Sequence, residues 1–92
     1  SLAALLERGL LRPGQPLYLD GQRDPPHTAI VLADGSLRGP DGTRGTLHQV
    51  AAAIVGEETV NGWDRWYYAE PGHVLRPLDA LRARYRLELE KR

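Results

Sequence analysis

The 92-residue chain contains no cysteine, no methionine and no phenylalanine. Without cysteine there is no disulfide framework, no thiolate zinc site and no thiol nucleophile. Net charge is also missing, because twelve Lys and Arg face twelve Asp and Glu. That excludes a free-standing binder that lives off a strongly basic surface. No apolar run reaches the roughly 18–20 residues that span a bilayer, and no signal-peptide pattern opens the chain. The length excludes doubly wound nucleotide-binding enzymes and barrels, which need roughly 200 residues or more. Lysine is nearly absent too: Lys91 stands alone beside eleven arginines. Arginine offers a planar fork for bidentate contacts where lysine offers a point charge.

What is present suits one small globular domain. Charged residues at 26% and hydrophobics at 41% lie near globular averages, against wholesale disorder. A start at Ser1 with no Met anywhere reads as a piece, residues 1–92, of a longer protein.

The patterning predicts an α+β fold, a small, mostly antiparallel sheet packed with three helices. Ser1 is positioned to cap a helix over 1–8, with Leu2, Leu5 and Leu6 on one face and Gly9 as its stop. Strands are expected at 16–20, with Leu17 and Leu19 on one face, and at 27–33, closed by Asp34-Gly35 as a hairpin with 36–38 returning. Residues 39–45 read as loop. Thr46 and Gln49 make a capping box ahead of the stripe Leu47, Val50, Ala51, Ile54, Val55, and Gly56 stops this second helix. Asn61-Gly62 reads as a tight turn into an aromatic strand over 63–69. Pro71-Gly72 turns into a brief strand at 73–75, and Pro77 starts a final helix with Leu78, Leu81, Tyr85 and Leu89 on one side.

Catalytic and metal constellations find no support. Asp24-Pro25-Pro26-His27 is similar to the Asp-Pro-Pro-aromatic motif of adenine-N6 methyltransferases. Histidine replaces the aromatic, though, and no glycine-rich cofactor loop accompanies it, so it reads as a stiff entry into a strand. His27, His48 and His73 lie 21 and 25 residues apart, never at the i, i+4 spacing that pairs ligands on a helix face. Ser1 and Ser36 lie on no nucleophile elbow. No catalytic residue, metal or cofactor is expected, and an independent enzyme ranks below any binding role.

Two segments carry a binding signal. Trp63 and Trp66, three apart on the expected strand, would face opposite sides. One would enter the core, which lacks Phe and Met to fill it, and the other would either cover a neighbouring loop or face out as a stacking platform for a base. The loop from Arg38 through Arg44 to Thr46 runs into a helix N-terminus, whose free N–H groups and positive dipole end suit a phosphate, with His48 and Gln49 in the first turn.

The order Leu5-Leu6-Glu7-Arg8-Gly9-Leu10-Leu11, Pro13-Gly14, Ala33-Asp34-Gly35-Ser36-Leu37, Asn61-Gly62-Trp63-Asp64-Arg65-Trp66 and Leu78-Asp79-Ala80-Leu81-Arg82 resembles the RAMA domain. The name stands for restriction enzyme and adenine methylase associated. Through Gly45-Thr46-Leu47-His48 and Asn61-Gly62-Trp63 the chain is most similar to the C-terminal domain of cell-cycle-regulated adenine-N6 DNA methyltransferases. The resemblance implies a non-catalytic bacterial module that contacts DNA, with the segments matching Thr46-Leu47-His48 and Asn61-Gly62-Trp63 holding it. Arg65 and the insertion over 23–27 depart from the family pattern.

The expected partner is double-stranded DNA, adenine-methylated or distorted duplex included, together with a parent methyltransferase or nuclease domain in the cytoplasm, at the nucleoid. Arg44 and Arg65 would neutralise phosphates beside Arg38, Gln49 and Asn61 would bond a base edge or a phosphate, and an exposed Trp63 or Trp66 would stack or wedge beside Thr46 and His48. The competing expectation is a protein-interaction or dimerisation module using the Arg-rich face of the last helix, without a membrane role.

Overall fold

The computed structural model describes residues 2–91, so the expected Ser1 cap lies outside the described residues. Its sheet has six strands, all antiparallel: β1 (Pro16–Leu19), β2 (Thr28–Val31), β3 (Leu37–Arg38), β4 (Arg44–Gly45), β5 (Trp66–Ala69) and β6 (Leu75–Pro77), in the order β4-β3-β2-β1-β5-β6. Four helices accompany it: α1 (Leu2–Glu7), α2 (Leu47–Val55), α3 (Gly62–Arg65) and α4 (Asp79–Glu90).

Period-two alternation decides the buried face. Leu17 pairs with Ala29, Val31 with Leu37 and Leu19 with Trp66, and all six side chains are buried. Cross-strand partners share a face, so these pairs form one apolar layer. Leu2, Leu5, Leu47, Val50, Ala51, Trp63 and Leu81 from the helices, with Leu78 just ahead of α4, join it in one core. With no Phe or Met available, Trp66, fully buried, is its largest piece.

The α+β expectation is met with one more helix than the three expected, because 63–65 is not strand. The Asn61 carboxamide oxygen accepts from the Trp63 N–H at 3.1 Å and its NH₂ donates to Asp64 at 2.9 Å. This cap turns the chain helical for one turn, a local bond that outweighs the β-propensity of the aromatics. The other differences are smaller. Residues 25–27 form a 3-10 turn, shortening the expected strand at 27–33 to β2. The loop at 39–45 gains the two-residue β4. His73 takes a left-handed φ of 66°, which displaces the expected strand at 73–75 to β6. Pro77 therefore ends a strand instead of opening a helix. Proline is tolerated there because β6 is a sheet edge.

Candidate functional site

The N-terminus of α2 is built by its own sequence. The Gln49 N–H donates to Thr46 Oγ1 at 3.1 Å and the Thr46 N–H donates to Gln49 Oε1 at 3.0 Å, the expected capping box. The helix ends on Gly56 at φ 74°. The next N–H groups, those of Leu47 and His48, find no acceptor among the described residues. They stand at the positive end of the helix dipole.

α3 is pressed against this end. A Cβ on Gly62 would sit 2.7 Å from the Leu47 carbonyl oxygen, and the buried Trp66 indole N–H donates to that same oxygen at 2.8 Å. The Gly62 N–H donates to His48 Nδ1 at 2.9 Å. An imidazole nitrogen that accepts a backbone N–H carries no proton, so neutral His48 holds its proton on Nε2 and presents a donor outward. Nitrogen-detected NMR should accordingly find His48 as the Nε2–H tautomer at neutral pH. An Nδ1–H signal would contradict this geometry.

A cleft of about 460 Å³ opens at this point, between the α2 end and α4. Thr46, His48 and Trp63 line it together with Arg82, Tyr85 and Arg86 of α4. Arg82 lies over the Trp63 ring, 4.5 Å from its centroid, and is held by Asp79 at 2.6 Å. Arg86 has no acidic partner and no carboxylate lines the cleft, among the described residues. Asp79 already takes the Arg82 guanidinium, so Arg86 is the arginine of this lining left without a carboxylate among the described residues. With an imidazole N–H, a hydroxyl and two backbone donors in the same lining, the cleft can accept an anion.

Of the residues singled out from sequence, Thr46, His48 and Trp63 meet in this cleft. Arg44 and Gln49 line a second cleft on the flank of α2. Arg38 is exposed and pairs across the strands with Arg44, like charges directly opposed, while Arg44 reaches Asp34 at 2.7 Å. Asn61, Arg65 and Trp66 line neither cleft. The expectation that one tryptophan is free to stack is overturned: Trp63 is 7% exposed and Trp66 0%. Trp63 lies on a helix, so the opposite-face argument does not apply, and both rings fill core volume.

Arg65 is likewise engaged elsewhere, in a fork on Asp20 at 2.6 and 2.9 Å with Glu57 at 3.6 Å. Sequence reasoning missed Arg82 and Arg86 as partners of His48. Their i, i+4 spacing does place them on one helix face, but nothing in the sequence says which element that face meets.

The Asp20 fork has a pH signature. Hydrogen bonds from Arg65 hold the Asp20 carboxyl below its usual value; burial opposes them, and the Arg65 charge adds to the lowering. Asp24, Asp34 and Asp41 are lowered as well, chiefly by bonds from His27, Ser36 and Thr43. A carboxyl with a depressed folded pKa stabilises the fold above its unfolded pKa of about 3.9, and that contribution is lost as pH falls through the folded value. Urea midpoints should therefore hold from neutrality to about pH 5 and then fall. Asp20→Asn should lower the neutral midpoint and shrink the acid-side fall. An unchanged profile would remove the fork from the stability of the domain.

No helix among the described residues is long and apolar enough to cross a membrane. A model of the family described as Restriction Enzyme Adenine Methylase Associated (RAMA) matches residues 1–91, nearly the whole chain.

Proposed function

The chain belongs to the RAMA family, a group associated with restriction enzymes and adenine methylases, and from that membership we propose that it is a non-catalytic module that holds duplex DNA for a methylase or nuclease. The observation that carries this reading is the cleft where Thr46, His48 and Trp63 meet Arg82 and Arg86 with no carboxylate among the described lining residues. A DNA phosphate is the anion that an adenine-methylation or restriction setting supplies. Helix-end N–H groups and an arginine fork are the donors that phosphodiesters most often meet.

Zero net charge fits a module that positions DNA while an attached domain supplies most of the affinity. In this reading the module works on bacterial DNA in the cytoplasm, as part of a longer chain or complex.

The test is a titration of a short duplex at low salt. Arg82→Gln with Arg86→Gln should weaken binding by about tenfold or more and flatten the log–log salt slope by about 0.9 for each phosphate no longer neutralised. Circular dichroism checks that the fold is kept. Wild-type protein that ignores duplex DNA at low salt, or a double variant that binds equally well, sinks the reading.

A second reading, association between protein chains, is favoured by Leu87 at 57% and Leu89 at 40% exposure on the outer end of α4. Sedimentation at high concentration decides it, since a strict monomer removes self-association.

A further inference from the structure

The second cleft, about 440 Å³, lies on the flank of α2. It differs in chemistry from the first cleft: its one arginine, Arg44, is paired with Asp34. Its apolar surface comes from Val50, Ala53 and Ile54 on α2, facing the rings of Pro26 and Pro40. Gly39 and Gly45 let the β3–β4 turn lie close on this helix. Neither has a positive φ, and a Cβ on them would meet side-chain atoms of Val50 at 3.2 Å and Gln49 at 3.0 Å, so glycine keeps the turn close without pushing those side chains aside.

The polar groups at the cleft are half used. Gln49 spends its oxygen on the Thr46 N–H, which leaves its NH₂ without an acceptor among the described residues. Asp41 accepts the Thr43 N–H at 2.9 Å through Oδ1, leaving Oδ2 free among the described residues. Arg44 and His27 also line the cleft, but Arg44 is taken by Asp34 at 2.7 Å and His27 by Asp24 at 2.6 Å. Bonds from Thr43 hold the Asp41 carboxyl below its usual value and keep it ionised. The lining therefore offers an anion no unpaired cation among the described residues. The occupant this cleft suits is neutral and flat, with an apolar face and an edge that both donates and accepts.

We propose that this cleft receives an unpaired nucleobase, seated on the apolar α2 wall with its edge toward Gln49 and Asp41. The proposal rests on the DNA reading above. A single capping box, Thr46 bonded to Gln49, separates this cleft from the one lined by Arg82 and Arg86, so a backbone held at one places bases near the other. A base inside a duplex cannot enter; one at a bulge, a mismatch or a melted step can, without first being unstacked and unpaired at a cost of a few kcal/mol.

Two measurements test it. The first compares a perfect duplex with the same duplex carrying one bulged 2-aminopurine. The bulged duplex should bind about tenfold more tightly, within what stacking one base supplies, with a change in the probe's fluorescence. Ala53→Phe should abolish that preference and leave the perfect duplex unaffected. Ala53 is exposed on α2, so the larger side chain fills the cleft without entering the core. The second follows the methyl resonances of Val50, Ala53 and Ile54 while adenosine alone is added at millimolar concentration. They should shift, and in Ala53→Phe those of Val50 and Ile54 should not.

Duplex binding with no bulge preference and unmoved methyls overturns the base site and leaves the DNA reading standing. Shifted methyls without any duplex binding do the reverse. If a peptide or a simple apolar solute shifts the methyls and adenosine does not, the cleft is an apolar docking site of another kind and the proposal fails.

Discussion

Gly62→Ala is expected to destabilise the domain by about 3 kcal/mol or more, a large part of the roughly 5–10 kcal/mol that holds a domain of this size together. The new methyl would lie 2.7 Å from the Leu47 carbonyl oxygen and 2.8 Å from its carbon, backbone atoms that no rotamer change can move aside. Overpacking of this kind typically costs about 1–3 kcal/mol. Relief requires α3 to withdraw from α2. Withdrawal breaks the Gly62 N–H bond to His48 and the Trp66 N–H bond to Leu47, each worth about 1 kcal/mol net.

The backbone of Gly62 takes no positive φ, so the whole cost is spatial. Gly56 is the control: its φ of 74° suits glycine, but nothing lies within 4 Å of an added Cβ. Gly56→Ala should cost only about 1 kcal/mol. Urea unfolding of both variants at equal slope checks the pair. A Gly62→Ala protein as stable as Gly56→Ala would mean that α3 is not pressed on the end of α2. Because His48 loses its acceptor role in that withdrawal, Gly62→Ala should also weaken duplex binding where Gly56→Ala does not.

Trp66→Ala should be at least as damaging, about 3–5 kcal/mol, enough to leave the domain largely unfolded at room temperature if its stability lies at the low end of the range. The ring is fully buried at the centre of the apolar layer, opposite Leu19. Trp66→Phe separates volume from hydrogen bonding. It keeps most of the aromatic surface but removes the indole bond to the Leu47 carbonyl, which still accepts its own i+4 bond within α2, so the added cost is about 1 kcal/mol. The expected order of denaturation midpoints is wild type, then Phe, then Ala. Trp66→Phe at wild-type stability would show that the indole bond contributes nothing. Neither substitution touches Arg82 or Arg86, so any loss of DNA affinity in Trp66→Phe would report the disturbed α2 end alone.

Where patterns are local, sequence and structure agree. The Thr46–Gln49 box, the α2 stripe, the stops at Gly9 and Gly56 and the hairpin at Asp34-Gly35 depend on residues within four positions of one another, and each forms. The aromatic segment differs because its strongest interaction is also local but of another kind: a single Asn cap wins against β-propensity across 63–65. That one turn of helix changes where Trp63 points, and with it the stacking role expected from sequence. Arg65 reads as a phosphate ligand in the sequence because its partner Asp20, 45 residues away, cannot be seen there.

By itself the sequence determined the absence of thiol chemistry, the neutral, arginine-dominated charge, the α+β layout with its antiparallel pairing and the family, since each follows from composition, short-range pattern or motif order. Only the tertiary structure decided which arginines stand beside His48. Charge pairing and burial depend on contacts between elements far apart in the chain. Asp20 withdrew Arg65, Asp34 engaged Arg44, and α4, packed on α1 and β6, brought Arg86 and the Asp79-held Arg82 to the cleft.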